Sequence, residues 1–343
     1  MKTFIYFGKF PPPYGGVTVK NKLLFDKLSS MVTISQSGYY NQDAGKFSRF
    51  SAFIKELLLN KKRGLVIGIS QDSLKKVTLF LYALNPKLMG MSVVMVMGGT
   101  FPELVKSSPK LQVALTAYKA IYVEAEGMKK QLNLMGVENV FIFPNCRERY
   151  IGTQVGHGTE AEGQLKCLFF SLISKDKGVD VVLEAASILK NRQINFSIDF
   201  YGPISPDYEA AFLEAVNQQA SLNYNGLFKS KGKGDVYEKM QAYDLFLFPT
   251  KWKNEGVPGA LVEAKFSGLP AIVSDLNYNS EIVEDGVSGV VLKENTPEAL
   301  ARSIERLSQN RKVLEAMKMG ARTSSEAYVI ENYLEEIKAM MVL

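Results

Sequence analysis

Apolar residues along this chain come in short runs separated by stretches with helical spacing. The run at 2–7 (K-T-F-I-Y-F) is too short for a buried helix and predicts a first strand, followed by a helix over 17–28. Further short strands are predicted at 65–69, 92–97, 120–123 and 140–143, with helices over 50–60 and 74–84 between them. Residues 151–164 (I-G-T-Q-V-G-H-G-T-E-A-E-G-Q) are polar and glycine-rich and predict a linker. A second alternating series then gives strands at 165–171, 195–201, 245–249 and 271–274, and helices at 179–190, 206–218, 236–242 and 297–308. The tail, 324–343, reads as a final helix. Alternation of this kind implies parallel sheets with helices on both faces. The expectation is an α/β chain of two doubly wound domains, 1–150 and 165–323, facing a cleft. Open parallel sheets bind ligands at the carboxyl ends of their strands, so that cleft is the expected place for chemistry.

Composition changes this picture little, and charge changes it more. A length of 343 residues suits two domains, and 46% apolar with 22% charged residues is ordinary for a globular protein. Only Cys146 and Cys167 are present, without metal-ligand spacing, which favours a reducing cytoplasm over a disulfide framework. The apolar start is too short for a signal-peptide core, and no run is long enough to span a bilayer. Residues 1–150 carry 21 Lys and Arg against 9 Asp and Glu, whereas residues 151–343 carry 20 against 26. A basic first half beside an acidic second half suggests an anionic partner for the first half alone. No helix-turn-helix, zinc-finger or RNA-recognition pattern accompanies that charge, so nucleic acid is not expected. A membrane surface or a pyrophosphate-linked lipid fits better. The run 47–63 (F-S-R-F-S-A-F-I-K-E-L-L-L-N-K-K-R) mixes aromatics, leucines and cations. It reads either as a core-packing amphipathic helix with a basic end or as a surface helix resting on anionic lipid.

The most informative stretch is 248–270, F-P-T-K-W-K-N-E-G-V-P-G-A-L-V-E-A-K-F-S-G-L-P. It places Glu255 and Glu263 around a predicted strand-to-helix turn broken by Gly256, Pro258 and Gly259. Such a turn aims free backbone N–H groups and a helix dipole at whatever lies above the sheet, which suits a phosphate. Two carboxylates beside it can accept paired hydrogen bonds from vicinal diols of a ribose and a sugar ring. After the first strand, P-P-P-Y-G-G-V offers Gly15 and Gly16, whose freedom to adopt positive φ would let backbone approach an anion.

Together, E-G-V-P-x-x-L-V-E-A, G-L-P-A-I-V-S-D and E-I-V-E-D-G-V-S-G-V-V-L resemble the donor-site signature of retaining glycosyltransferases of family 4, which have the two-domain GT-B fold. The resemblance implies two Rossmann-like domains, the first for the acceptor and the second for the nucleotide sugar, with the C-terminal helix crossing back to the first. By the same resemblance Glu255 contacts the donor sugar, Glu263 holds the ribose, and Gly256, Val257 and Pro258 shape the phosphate-facing turn. Gly15 and Gly16 match the family's glycine loop, with Tyr14 beside them on the acceptor side. Lys177, before Gly178 in F-F-S-L-I-S-K-D-K-G, matches a diphosphate-gripping lysine, while Leu172 stands where the family has an arginine. Lys175, Lys251 and Lys253 are available to replace the missing guanidinium. Gly202, in Y-G-P, approaches the nucleotide, and Glu281 falls near the donor. K-S-K-G-K-G at 229–234 offers a basic loop for base or phosphate.

The resemblance has a second departure. Family members often carry a histidine after the fourth strand; here that region reads V-V-M-V-M-G-G-T-F-P-E-L, and the single His157 lies in the linker. Gly98, Gly99 and Glu103 are therefore the acceptor-side candidates. No metal-ligand pattern emerges, so leaving-group stabilisation is expected from Lys177 and backbone groups without metal or cofactor. The resemblance implies transfer of a sugar from a UDP- or GDP-sugar to a hydroxyl with retention. Capsule, O-antigen or exopolysaccharide chains on polyprenyl-pyrophosphate carriers are the implied acceptors, reached from the cytoplasmic face of a membrane. The alternatives are a non-catalytic nucleotide-sugar or glycan-binding subunit and a GT-B nucleotide-sugar epimerase.

Overall fold

The computed structural model describes residues 2–12, 15–41, 43–150, 163–230, 232 and 234–342. Tyr14, His157 and most of the predicted linker lie outside the described residues.

The chain forms two compact units. The first comprises residues up to Glu148, the segment Asn254–Gly256 and the chain from Val329 onward; the second comprises Arg149–Lys253 and Val257–Tyr328. In the first, β1 (Thr3–Gly8), β2 (Thr33–Gln36), β3 (Gly64–Gly68), β4 (Val93–Met95), β5 (Ala120–Val123) and β6 (Val140–Ile142) make one sheet. Its order is β2-β1-β3-β4-β5-β6, and each pairing is parallel. β3, β4 and β5 are buried at every position, as strands covered on both faces must be. Phe4 and Tyr6 from one face of β1 join Leu24, Leu28, Val66 and Tyr122 in a core. Ile330, Leu334, Ile337 and Met341, mostly from the C-terminal helix Glu331–Val342, complete it. That helix starts later than the predicted 324, because a preceding helix, Arg311–Ser324, and a short turn at Ser325–Tyr328 occupy the first part.

The second unit repeats the scheme with β7 (Leu165–Phe170), β8 (Phe196–Tyr201), β9 (Leu222–Tyr224), β10 (Leu245–Phe248), β11 (Ala271–Ser274) and β12 (Gly289–Leu292). The order β12-β11-β10-β7-β8-β9 is again all parallel. Its core runs from Leu165, Cys167 and Phe169 through Val182, Ala185 and Ile198 to Ile304 and Leu314. Both sheets are therefore doubly wound, as the pattern predicts. The chain reverses direction between β1 and β3 in the first sheet and between β7 and β10 in the second. Those two reversals fix where a crevice opens at the carboxyl ends of the strands. Three of the four edge strands, β2, β9 and β12, and several short helices are absent from the sequence prediction. β2 reads T-I-S-Q and is exposed or half-exposed throughout, so no apolar run announces it.

Candidate functional site

In the second unit, the loops after β7, β8 and β10 crowd together at the β7/β10 reversal. Gly178 caps the helix Val179–Asn191 with φ +76°, and a Cβ there would lie 1.9 Å from the Pro249 carbonyl oxygen at the end of β10. Gly202, at φ +142°, follows β8; a Cβ there would lie 1.9 Å from the Ser171 carbonyl oxygen after β7. Each position demands glycine twice over, by conformation and by space. The Lys251 backbone N–H donates to Asp176 O at 2.8 Å, Ser274 Oγ to Thr250 O at 2.7 Å and Asn295 Nδ2 to Pro249 O at 3.0 Å. Loops tied at this density hold their remaining N–H groups in fixed directions.

The same unit carries several of the predicted donor residues. Lys177 is half-buried in the β7 loop, and the helix Val179–Asn191 begins just beyond it. Val257 and Pro258 are buried, with Pro258 as N-cap of the helix Gly259–Phe266. Glu263 lies half-buried on that helix, which ends at Gly268 in the left-handed conformation. Glu281 is exposed on the one-turn helix Asn279–Ile282 after β11. Of the three substitute cations, Lys251 is spent on an ion pair with Asp180 at 2.7 Å, and Lys175 lies over the Tyr208 ring at 5.9 Å. Lys253 is exposed. Leu172, where the family has its arginine, is 42% exposed right after β7. In the basic loop, Lys231 and Lys233 lie outside the described residues, and Lys229 is exposed.

Sequence reasoning passed over Phe228. Its ring packs on Phe170 at 5.8 Å and Tyr201 at 6.4 Å, at the carboxyl ends of β7 and β8, while Leu227 beside it is 58% exposed. A lone aromatic in a polar loop (N-G-L-F-K-S-K) was the available signal.

The first unit has its own rim. Gly15 precedes the helix Gly16–Ser29 with φ −168°, which is extended backbone, and a Cβ on either Gly15 or Gly16 would meet nothing within 4 Å. The expectation that this pair supplies positive φ is thus corrected: another residue would fit at both positions. Gly98, after β4, does adopt φ +127°, and Gly99 is buried beside it. Asn254–Gly256 belongs to this unit, so Glu255 and Glu263 fall in different units. Gly99 N–H donates to Asn254 O at 3.5 Å, and a Cβ at Gly99 would lie 1.8 Å from Glu255 O. The structure thereby brings together Gly99 and Glu255, which the sequence had assigned to acceptor and donor sides. Glu103 is exposed on the helix Phe101–Lys106. Among the described residues, no group of three His, Cys, Asp or Glu side chains is placed to hold a metal. No described helix is long and apolar enough to cross a membrane.

Residues 154–324 match the model of the family described as glycosyl transferases group 1. The amylovoran biosynthesis glycosyltransferase AmsK of Erwinia amylovora is 30% identical over 168 residues, 47% of this chain and 40% of AmsK. The Escherichia coli UDP-Gal:α-D-GlcNAc-diphosphoundecaprenol α-1,3-galactosyltransferase is 28% identical over 128 residues, 37% of this chain and 32% of that enzyme. The matches thus span 40% or less of these curated relatives. Among solved structures, Anabaena HepE in complex with UDP aligns over 99% of both chains with TM-score 0.72 at 14% identity. The sucrose-phosphate synthase of Thermosynechococcus elongatus aligns over 99% of this chain and 98% of its own with TM-score 0.75 at 11% identity. At such identities these neighbours speak for the fold alone, two Rossmann-like domains of the GT-B class. With that fold and the family's model matched across its second unit, the chain belongs to the group 1 glycosyl transferases.

Proposed function

We propose that the chain transfers a sugar, with retention of configuration, from a nucleoside diphosphate sugar to a hydroxyl of a lipid-linked or glycan acceptor in surface polysaccharide assembly. The observation that carries this reading is the crowded β7/β10 reversal, where Gly178 and Gly202 close the floor and Lys177 stands at its rim. The diphosphate would lie over the N-termini of the helices Val179–Asn191 and Gly259–Phe266, whose dipoles favour an anion. Glu263 would accept from the ribose hydroxyls, and Glu255 from the sugar. As the bond from the anomeric carbon to the phosphate oxygen breaks, negative charge builds on the diphosphate, and Lys177 with the helix N-termini stabilises it. The acceptor oxygen bonds the same face of the anomeric carbon, and its proton passes to the departing phosphate oxygen. The AmsK and galactosyltransferase names support the pathway class, since one concerns amylovoran and the other a diphosphoundecaprenol acceptor.

The helix Lys46–Leu57 supports a lipid-side acceptor. Its inner face carries Phe53, packed among Phe7, Tyr39 and Phe80 with tilted rings, and Glu56, which accepts from the Gly38 N–H at 2.9 Å. Near the start of the same helix Phe47 is 86% and Phe50 61% exposed, whereas Leu57 at its end is buried. Lys46, Lys55, Lys61 and Lys62 are exposed around them. Two outward aromatics with a basic border suit the headgroup region of an anionic bilayer.

The test is turnover of UDP- and GDP-sugars with a polyprenyl-pyrophosphate-linked acceptor, read by product mass and anomeric configuration. Wild-type product that falls about a hundredfold or more in Lys177→Ala and Glu255→Ala supports transfer. Donor binding without turnover on any acceptor supports the non-catalytic subunit instead, a reading favoured by Leu172 at the arginine position.

A further inference from the structure

We infer that the buried Lys20–Glu124 ion pair is the seat of the Glu255–Gly256 turn, which makes Glu124 a positioning residue for the donor-sugar carboxylate. The inference rests on the role given above to Glu255, but its geometry does not. Lys20 lies one turn into the helix Gly16–Ser29, and its side chain is 4% exposed. Its ammonium donates to Glu124 Oε1 at 2.7 Å and to Phe143 O at 3.3 Å, and sits 5.0 Å from the Phe143 ring centroid. Glu124 follows directly on β5 and is 7% exposed. One carboxylate oxygen is therefore taken by Lys20. The other, Oε2, faces Gly256: a Cβ built there would lie only 2.4 Å from it. The preceding residues are gripped from the neighbouring strand ends. Gly99 packs against Glu255 O, Thr100 Oγ1 donates to Asn254 Oδ1 at 3.3 Å, and Gln71 Nε2 donates to Thr100 Oγ1 at 2.7 Å.

A buried ion pair is a poor device for stability alone, because desolvation of both charges offsets most of their attraction and a well-packed apolar pair serves as well. What an apolar pair cannot do is set a polar oxygen against the backbone of a glycine. With Gly99 on one side and Glu124 on the other, the Asn254–Gly256 backbone has less than a methyl group of freedom. Glu255 then has only its side-chain torsions left to order when a sugar binds, and such pre-organisation acts on the chemical step more than on binding.

The experiment compares wild type with the apolar pair Lys20→Met/Glu124→Leu, which removes both charges together and takes away the oxygen set against Gly256. Hydrogen exchange read by mass spectrometry should accelerate about tenfold or more in the peptide spanning 254–257 while β1 and β3 amides keep their protection. In the transfer assay kcat should fall about tenfold to a hundredfold with donor KM within about threefold. Gly256→Ala should lose turnover in the wild-type background and recover it in part in Lys20→Met/Glu124→Ala, where the opposing oxygen is gone. Unchanged exchange at 254–257, or equal damage from Gly256→Ala in both backgrounds, overturns the seat. Exchange needs no turnover, so accelerated exchange with no transferase activity in wild type would sink the functional reading and leave the seat standing.

Discussion

Each sheet turns back once beside its first strand, but the two rims lean on different means. The second rim is a backbone construction: Gly178 and Gly202 let carbonyls approach where any side chain would collide. The first has one such contact of its own, Gly99 against Glu255 O, and adds a side-chain construction in which Lys20 and Glu124 meet from residues 104 apart in sequence. Each unit also buries a lysine. Lys20 has a carboxylate partner, whereas Lys265, 3% exposed, has the Ser324 hydroxyl at 2.5 Å and the Tyr328 ring at 5.9 Å. The contrast teaches that a rim of backbone contacts writes itself into the sequence as glycines, while a rim of paired charges leaves no local mark.

The largest effects should come from adding a single methyl group at the glycines of the second rim, set against the Gly15–Gly16 pair of the first unit. Gly178→Ala and Gly202→Ala each combine a left-handed or mirror-extended φ with a carbonyl at 1.9 Å and should each destabilise the second unit by about 3 kcal/mol or more. Gly15→Ala and Gly16→Ala meet open space and should change stability by under about 1 kcal/mol, with Gly16→Ala on the stabilising side through lost unfolded-state entropy. Urea unfolding of the four variants measures this directly. Equal losses at all four positions would erase the distinction between the rims.

The buried lysines sharpen the comparison through pH. Burial lowers the Lys265 pKa from its ordinary 10.5 to about 8, with Glu284 opposing the shift. Below about pH 8 both folded and unfolded chains hold the proton, and the penalty of burying the charge is complete. Between about 8 and 10.5 the unfolded chain keeps a proton that the folded one has released, so stability rises with pH through that window. Lys265→Met should therefore be more stable than wild type at pH 7 by about 2 kcal/mol, the lost Ser324 hydrogen bond taken into account. That advantage should fade by pH 10. Guanidinium titrations at the two pH values decide it, and a pH-independent difference would show that the lysine does not titrate in its buried site.

Which parts were legible follows from the same physics. Strands covered on both faces show as apolar runs, so β1, β3, β5, β10 and β11 could be placed within a residue or so. The edge strands β2 and β9 (T-I-S-Q and L-N-Y) face solvent on one side and carry no run. Lys177, Gly202 and the 255–263 turn were visible because local motifs carry them. Gly15 and Gly16 were visible too, yet the conformational reason attached to them does not hold, since a glycine pair marks freedom without showing that it is used. The helix Lys46–Leu57 has aromatics on two sides, and periodicity cannot say that Phe53 faces in while Phe47 and Phe50 face out. Only the neighbours Tyr39 and Phe80 decide that. Glu124 had no sequence signal at all, being one carboxylate after a strand.

The smallest expected effect addresses the departure at Leu172. Its side chain is 42% exposed at the end of β7, and of the cations that could replace an arginine Lys251 is already committed to Asp180. Leu172→Arg introduces a long flexible side chain at an open position, so folding should be unaffected within about 0.5 kcal/mol. A guanidinium there offers a planar pair of donors to a diphosphate, worth about 1 kcal/mol at a solvent-open site, or roughly five- to tenfold in affinity. Calorimetric titration with UDP and GDP should show that gain for one nucleotide, larger at low salt than at high because the new contact is ionic and exposed. Leu172→Lys should give less, since an ammonium cannot pair with two oxygens at once. If neither variant moves the affinity of a nucleotide that wild type binds, the phosphates do not lie over β7. The backbone rim would then hold something other than the diphosphate.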